Sequence, residues 1–361
     1  MRGIAAAPNS LAPRFVDVPE PSSPTAGQVL CRTLELGVCG TDREILHSQQ
    51  PLAPAGDSFL ILGHECLARV EALGPEVTDL AVGDLVVPVV RRAFAGAAHR
   101  VDMLDFCQFT ERGIVHEHGF STPFWLDQPH YLFLVPPKLR AHAVLTEPFA
   151  VAEKGANEAL LLQRARLGED AWSANPPRVL VTGLGPIGFA AAAVCRCRGW
   201  PVTIYGRDAI NSSRATLAQD LGANYLPATG DEFEPADVER DGYDLCLECT
   251  GSDEVMVAAA HALASRAVMV WLGASRVPQP LSLNVARMMR DGLLRNHLHV
   301  GSVNAAPRDF HDALEHLGQL HAGTPQLLDR LITARVPPSE ALWHYEHRQP
   351  QGIKTVVDFT K

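Results

Sequence analysis

Four side chains in the first half of the chain are of the types that bind a catalytic metal ion: Cys39, His64, Glu65 and Glu147. Zinc in a catalytic site takes three protein ligands of these types and keeps a coordination position for water or substrate. Taken singly, each residue has another explanation, because cysteine is often buried and a lone histidine is usually an ordinary hydrogen-bonded group. Together they predict one zinc ion that polarises a substrate oxygen.

A glycine-rich turn follows further along the chain, in the segment Val-Leu-Val-Thr-Gly183-Leu184-Gly185-Pro186-Ile187-Gly188. A strand pattern precedes this turn and a helix pattern follows it, which is typical of a turn that binds a dinucleotide pyrophosphate. Gly183 would permit the tight turn, Gly185 the close approach of the pyrophosphate, and Gly188 the close packing of the helix. The alternative is a tight turn without a ligand. A metal site followed by this turn predicts a dehydrogenase of alcohols or polyols.

The preferred nicotinamide cofactor depends on the end of the next strand, where Gly206, Arg207 and Asp208 follow one another. A carboxylate at the strand end would bind the ribose 2′-hydroxyl and repel a 2′-phosphate, whereas an arginine favours the phosphate. We therefore expect NADP rather than NAD, with Arg214 as a second phosphate contact if the loop folds back. Asp208 leaves NAD open, since it could still bind the ribose.

Composition and charge limit the classes of protein to which this chain can belong. The chain has 361 residues, 47% of them apolar, and a net charge of −10. These values indicate a globular protein of two domains and argue against nucleic acid or an anionic membrane as partner. Neither a signal peptide nor a membrane span is visible, so we expect a cytosolic protein. The eight cysteines show no disulfide spacing, and we expect them to be reduced.

The order of patterns predicts an α/β protein with a mostly β module followed by a Rossmann domain. Residues 1–90 contain short alternating segments broken by Gly and Pro. Residues 91–130 lack clear periodicity, which suggests a long loop or a lobe lying over another part of the protein. A helical pattern from 143 to 167 precedes alternating strands and helices, including a helix over 255–265 and a strand over 267–272. This alternation predicts a doubly wound parallel sheet. The apolar C-terminal strand is expected to return to the first domain.

Several motifs spread over nearly the whole chain resemble the zinc-containing medium-chain dehydrogenases, and most of all their glucose dehydrogenase group. The matching segments are Val-Cys39-Gly-Thr-Asp, Leu-Gly-His64-Glu65, Thr110-Glu111-Arg-Gly-Ile, Leu145-Thr-Glu147-Pro, Gly-Leu-Gly-Pro-Ile-Gly and Gly301-Ser-Val-Asn304. The resemblance implies a discontinuous GroES-like catalytic domain (1–150 and 305–361) around an inserted Rossmann domain (151–304). It also implies oxidation of an aldose at C1 to the lactone with NAD(P), and pairing of chains through the cofactor domain.

The resemblance also assigns roles to single residues. It implies zinc held by Cys39, His64 and Glu147, with Glu65 as a close or alternating ligand. It assigns Glu111 and Asn304 to the sugar hydroxyls, and places Glu147 near both metal and sugar. Glu111 could instead be a salt-bridge partner near Arg112, and Asn304 could serve the nicotinamide amide.

Two residues close to Cys39 complete the predicted site. Thr41 is expected to accept a hydrogen bond from the substrate hydroxyl and relay its proton. Asp42 could orient a metal ligand or cap the turn that contains it.

The chain departs from the family in one respect that bears on metal content. Relatives usually carry a cluster of cysteines that binds a second, structural zinc, but the stretch from Arg91 to Cys107 keeps only Cys107. One cysteine cannot make a closed tetrahedral site, so we expect no structural zinc unless His99 and aspartates supply the further ligands.

Two other functions stay open on the sequence alone. The nearer is a zinc dehydrogenase of another polyol, cyclitol, amino sugar or secondary alcohol. The more distant is a non-catalytic NADPH-binding protein.

Overall fold

A computed structural model describes residues 1–94, 100–228, 242–274 and 285–361. The chain divides into two compact units. We call Met1–Ala150 with Asn304–Lys361 the terminal unit, because it contains both chain ends, and Val151–Val303 the central unit. The second boundary lies before Asn304, which therefore belongs to the terminal unit and not, as expected, to the inserted domain.

The first part of the terminal unit consists mainly of short strands. In chain order its elements are β1 (Arg2–Ala6), β2 (Arg14–Asp17), β3 (Val29–Gly37), α1 (Gly40–Ser48), β4 (Leu60–Ile61), β5 (Glu65–Leu73), β6 (Leu85–Pro88), β7 (Arg91–Ala93), β8 (Phe109–Arg112), β9 (His116–Glu117), β10 (Phe124–Asp127) and β11 (Leu132–Leu134). Strands β2, β1 and β4 form one small sheet, and β7, β8 and β9 form another. The expectation of a long loop over 91–130 was therefore wrong in part, because strands this short are below the length at which alternation is visible.

The central unit contains a parallel sheet with helices. Its elements are the helix α2 (Thr146–Leu167), which begins in the terminal unit, then β12 (Val179–Thr182), α3 (Pro186–Cys197), β13 (Val202–Gly206), α4 (Ser213–Asp220), β14 (Asn224–Pro227), β15 (Tyr243–Glu248), α5 (Asp253–His261), β16 (Leu263–Trp271), α6 (Val285–Arg295) and β17 (Leu298–Gly301). The strand order is β14-β13-β12-β15-β16-β17. The predicted doubly wound parallel sheet is confirmed.

One boundary inside this sheet differs from the expectation. The helix predicted over 255–265 ends at His261, and β16 already begins at Leu263. Leu263 is opposite Tyr243 in the parallel register with β15. The apolar residues at this junction are compatible with a helix or a strand. They form a strand because they pair with the neighbouring strand β15.

The chain then returns to the terminal unit through α7 (Pro307–Gly323), α8 (Pro325–Leu331), β18 (Ile332–Val336), α9 (Ala341–Glu346) and β19 (Lys354–Asp358). The last two strands complete the large sheet β11-β6-β5-β3-β19-β18, and β10 also pairs with β3. Within the described residues, no helix combines the length and apolarity needed to cross a bilayer.

The order β5-β3-β19 places three chain segments side by side at one edge of this sheet. Gly37 at the end of β3 is opposite both Glu65, the first residue of β5, and Val356 of β19. Antiparallel pairing brings the start of one strand to the end of its neighbour. The residues just beyond Gly37, just before Glu65 and at the start of β19 therefore meet.

Candidate functional site

Three of the four candidate metal ligands meet at this sheet edge. Cys39 precedes α1, His64 lies immediately before β5, and Glu65 opens that strand. One ligand atom from each of the three lies within 4.8 Å of the other two. Thiolate, imidazole and carboxylate are donors that zinc prefers, and three of them leave a position open. The donor set therefore fits a catalytic zinc ion.

The side chain of Asp42 supports this cluster in two ways. Its Oδ2 accepts a hydrogen bond from the backbone N–H of Cys39 at 2.9 Å, which fixes the start of α1. Its Oδ1 faces Nδ1 of His64 at 3.7 Å, and both atoms are buried with no hydrogen-bond partner among the described residues. A carboxylate behind a histidine typically orients the ring so that its other nitrogen can bind a metal. Asp42 thus caps the turn and also faces a candidate ligand.

The carboxylate of Glu65 is held by a cation from the far end of the chain. Nζ of Lys354 donates to both carboxylate oxygens of Glu65, at 2.7 and 2.5 Å, and to the carbonyl of Val38 at 3.3 Å. The carboxylate also lies against Gly37, where a Cβ atom would come within 2.1 Å of Oε2. A glycine at this position is therefore required for the observed placement of Glu65.

Glu147 lies close enough to the cluster to interact with it electrostatically, but it is not one of the three residues within 4.8 Å. It is the second residue of α2. Burial raises the pKa of Glu147 to about 7, while the nearby His64 lowers it and Glu65 raises it further. Burial lowers the pKa of His64, but Cys39, Asp42 and Glu147 together raise it well above its usual value. The pKa values of Glu147 and His64 therefore depend on each other's charge and on the neighbouring ligand candidates.

Thr41 is placed beside the first ligand. The thiol of Cys39 lies 3.8 Å from Oγ1 of Thr41. Both residues are partly exposed, unlike His64 and Glu65, which are buried. A hydroxyl at this position can accept a proton from a group that approaches the metal ligands from solvent.

Glu111 and Asn304, the two residues expected to bind a sugar, are in direct contact. Nδ2 of Asn304 donates to Oε1 of Glu111 at 2.7 Å. Arg91, opposite Glu111 in the pairing of β7 with β8, donates to the same oxygen from Nε at 2.9 Å and contacts it from Nη2 at 2.9 Å. The partner of Glu111 is therefore Arg91 and not the neighbourhood of Arg112. Within the described part of the chain, Oε2 of Glu111 accepts no hydrogen bond, so this oxygen can accept one from a ligand hydroxyl.

The glycine-rich turn lies between β12 and α3, as the sequence predicts. Gly185 precedes α3, Pro186 is its first residue, and Ile187 is partly exposed. A Cβ atom on Gly188 would come within 2.0 Å of the carbonyl oxygen of Gly183, so only glycine allows this approach of helix and strand. Leu184 is buried beneath the turn. The N-terminus of a helix behind such a turn fits an anionic pyrophosphate.

The end of β13 carries the side chains expected to distinguish the two nicotinamide cofactors. Arg207 is exposed. Arg214 lies on α4 and donates from Nε and Nη2 to Oδ1 of Asp208, at 3.0 and 2.6 Å. Two nitrogens of Arg214 are thus engaged by Asp208, and its role as a second phosphate contact stays a prediction. Tyr225 of β14 donates to the backbone carbonyl of Asp208 at 2.6 Å.

Comparison with known proteins agrees with this architecture. The sequence-family model of the alcohol dehydrogenase GroES-like domain matches residues 25–136. The family model of the glucose dehydrogenase C-terminus matches residues 140–359. Glucose 1-dehydrogenase of Thermoproteus tenax is 39% identical over 91% of this chain and 90% of the relative.

The chain belongs to the glucose dehydrogenase family.

Two further members show how far the similarity to this family extends. Glucose 1-dehydrogenase 1 of Caldivirga maquilingensis is 37% identical over 98% of this chain and 97% of its own length. The solved structure of Haloferax mediterranei glucose dehydrogenase, in complex with NADP, Zn and gluconolactone, is 28% identical. It covers 100% of both chains with a TM-score of 0.86.

Sequence reasoning missed two cations that hold the site of this family member. Lys354 is the single charge near the start of the apolar segment Ile353-Lys-Thr-Val-Val, a signal that a buried partner is needed. Arg91 is buried, although it lies in a stretch that the sequence indicated to be a loop. Neither residue could be matched to its carboxylate from spacing alone, since strand pairing creates both contacts.

Proposed function

We propose that the protein oxidises an aldose, glucose or a close analogue, at C1 to the lactone with NADP⁺ and one zinc ion. The observation that carries the proposal is the cluster of Cys39, His64 and Glu65, whose donor atoms lie within 4.8 Å of one another. The name and bound groups of the Haloferax mediterranei relative support the choice of sugar, cofactor and metal.

Cys39 and His64 would hold the zinc, with Glu65 or Glu147 as the third ligand. Bound zinc supplies a Lewis acid that polarises the C1 hydroxyl, and NADP⁺ supplies the hydride acceptor. Glu65 is bound by Lys354 in this structure, whereas Glu147 is free to lose a proton close to neutral pH. These two carboxylates therefore differ in how readily each can become a ligand.

The protein's own side chains then position the sugar and move its proton. Glu111 would accept a sugar hydroxyl at Oε2, while Asn304 and Arg91 hold its other oxygen. A site with fixed acceptors discriminates against substrates that lack the matching hydroxyl, because the buried polar group would then stay unpaired. Thr41 would take the proton of the C1 hydroxyl and pass it to solvent.

Metal analysis combined with a substrate panel tests this proposal. We expect about one zinc per chain, as in catalytic sites of this type, and NADPH formation with aldoses that stops on chelation and returns with zinc. Turnover that survives complete metal removal, or oxidation only of simple alcohols, would contradict it.

A pair of cysteine variants separates the catalytic metal from any other. Cys39→Ser should lose both zinc and turnover. Cys107→Ser removes an exposed cysteine of the stretch that holds a second zinc in relatives, and should change neither. The absence of a structural zinc stays a prediction that this variant tests, since residues 95–99 of that stretch lie outside the described residues.

The homo-oligomer implied by the family is part of the same proposal. Light scattering at several protein concentrations measures the mass of the particle. A monomer at every concentration would contradict this part alone.

A further inference from the structure

The loop after β13 contains a carboxylate of the kind that selects against NADP. Asp208 follows Gly206, the last residue of β13, by two positions. A carboxylate near this strand end accepts a hydrogen bond from the ribose 2′-hydroxyl and repels a 2′-phosphate. If Asp208 were unpaired, the loop would carry one attractive charge, on Arg207, and one repulsive charge.

The structure shows how that repulsive charge is neutralised. Arg214 donates to Oδ1 of Asp208 from two nitrogens, at 3.0 and 2.6 Å, and the paired side chains keep only 13% and 10% of their surface exposed. Tyr225 fixes the backbone of the same residue by donating to its carbonyl oxygen at 2.6 Å. Asp208 is therefore held at its side chain by α4 and at its backbone by β14.

Arg207 is the one cation of this loop left for a phosphate. It is exposed, and within the described ranges it forms neither a hydrogen bond nor an ion pair. Arginine binds phosphate through several donors at once, provided that they are not already engaged by a carboxylate. Arg207 meets that condition fully, whereas two nitrogens of Arg214 are already engaged by Asp208.

We propose that Arg214 sets the cofactor preference indirectly, by holding and neutralising Asp208, so that Arg207 alone meets the 2′-phosphate. Arg214 is thus a positioning residue. The inference rests on the proposed use of NADP, but it concerns a different property, the preference between two cofactors, and is independent of the sugar.

Binding measurements on four variants of the full chain test this inference. The affinities for NADPH and NADH are measured separately by fluorescence titration, with no sugar present. Arg214→Met frees Asp208 and should lower the preference for NADPH over NADH by about tenfold, the size of one nearby unscreened like charge. Asp208→Asn should keep the preference of the parent or increase it.

The double variant decides between an indirect and a direct role. If Arg214 acts through Asp208, Arg214→Met combined with Asp208→Asn should recover the preference of the parent protein. If Arg214 itself binds the phosphate, the double variant should bind NADPH as weakly as Arg214→Met, and the inference is wrong. If Arg214→Met only destabilised the fold, it would lower the affinities for NADPH and NADH by the same factor. The ratio of the two affinities would then stay unchanged, and this result would also overturn the inference.

Two controls keep the result separate from the proposed function. Arg164→Met removes an exposed charge from the same unit and should leave the ratio of the NADPH and NADH affinities unchanged. A parent protein that binds NADH more tightly than NADPH would contradict both the inference and the cofactor part of the proposed function. The protein could fail to oxidise any sugar while the parent still prefers NADPH and the double variant still recovers that preference. This outcome would contradict only the proposed function.

Discussion

Two ion pairs, one in each unit, have similar chemistry but very different surroundings. In the terminal unit, Lys354 and Glu65 keep 2% and 1% of their side-chain surface exposed. In the central unit, Arg214 and Asp208 keep 13% and 10%. A buried charge that loses its partner is costly, whereas a pair that water can reach contributes little to stability. The first pair is therefore a structural requirement, and the second can be altered to change binding without loss of the fold.

A third pair, in the terminal unit, lies between these two in burial. Arg91 and Glu111 keep 6% and 9% of their side-chain surface exposed. One oxygen of Glu111 accepts from Arg91 and Asn304, and among the residues that the structure describes the other accepts no hydrogen bond. Burial holds this carboxylate in one position while leaving one acceptor, so under the proposed function the same pair serves both packing and recognition.

The largest expected effect follows from breaking the most buried pair. Lys354→Met leaves the carboxylate of Glu65 buried without its cation, and should lower the free energy of unfolding by about 3–5 kcal/mol. Denaturant unfolding of the metal-free protein measures this loss.

A double variant checks that the loss comes from the unpaired charge. Glu65→Gln combined with Lys354→Met removes both charges and should recover a large part of the stability, because no uncompensated charge is left. If the double variant were less stable than Lys354→Met, packing and not charge would explain the effect, and the contrast between the two pairs would fail.

The next effect concerns sugar binding. Arg91→Met should raise the KM for the sugar by about tenfold, roughly the value of one hydrogen bond to a charged group, and leave the KM for NADP⁺ unchanged. Arg92→Met provides a matched control, because Arg92 is an equally buried neighbour that pairs with Asp127. Both variants should lose stability, but only the first should bind sugar more weakly. Equal KM values for the two variants would show that Arg91 does not position Glu111.

The pH dependence of zinc binding should report on Glu147. Burial raises the pKa of Glu147 to about 7, so this carboxyl keeps its proton at lower pH and loses it as the pH rises. Because a metal ion must displace that proton, zinc affinity should increase from about pH 6 to about pH 8. Competition with a chelator measures the affinity, and Glu147→Gln should show a shallower rise. Identical slopes for the two proteins would exclude Glu147 as a ligand.

The smallest effect is expected at the more exposed pair. Arg214→Met should lower the free energy of unfolding by about 1–2 kcal/mol, less than Lys354→Met, because Asp208 keeps 10% of its side-chain surface exposed and water can partly replace the lost cation. The same denaturant measurement as for Lys354→Met makes the comparison direct. A loss as large as that of Lys354→Met would show that the difference in burial does not matter, and would remove the basis of the comparison.

Local sequence was sufficient where the chemistry depends on neighbouring residues. The run from Gly183 to Gly188 predicted a strand, a tight turn and a helix, and the structure contains β12 and α3 around that turn. The types of Cys39, His64 and Glu65 likewise predicted a metal-binding set, because donor chemistry belongs to the side chain itself. In this respect the sequence determined the fold class and the kind of chemistry.

Tertiary structure decided the partners of the charged residues. Lys354 and Glu65 are 289 positions apart and meet only because β19 pairs with β3. Arg214 on α4 pairs with Asp208 in the loop after β13, whereas the sequence offered Arg214 only as a second phosphate contact if that loop folds back. Charges act through space and not along the chain, so the sequence specified which groups are present, and only the fold could specify which of them neutralise one another.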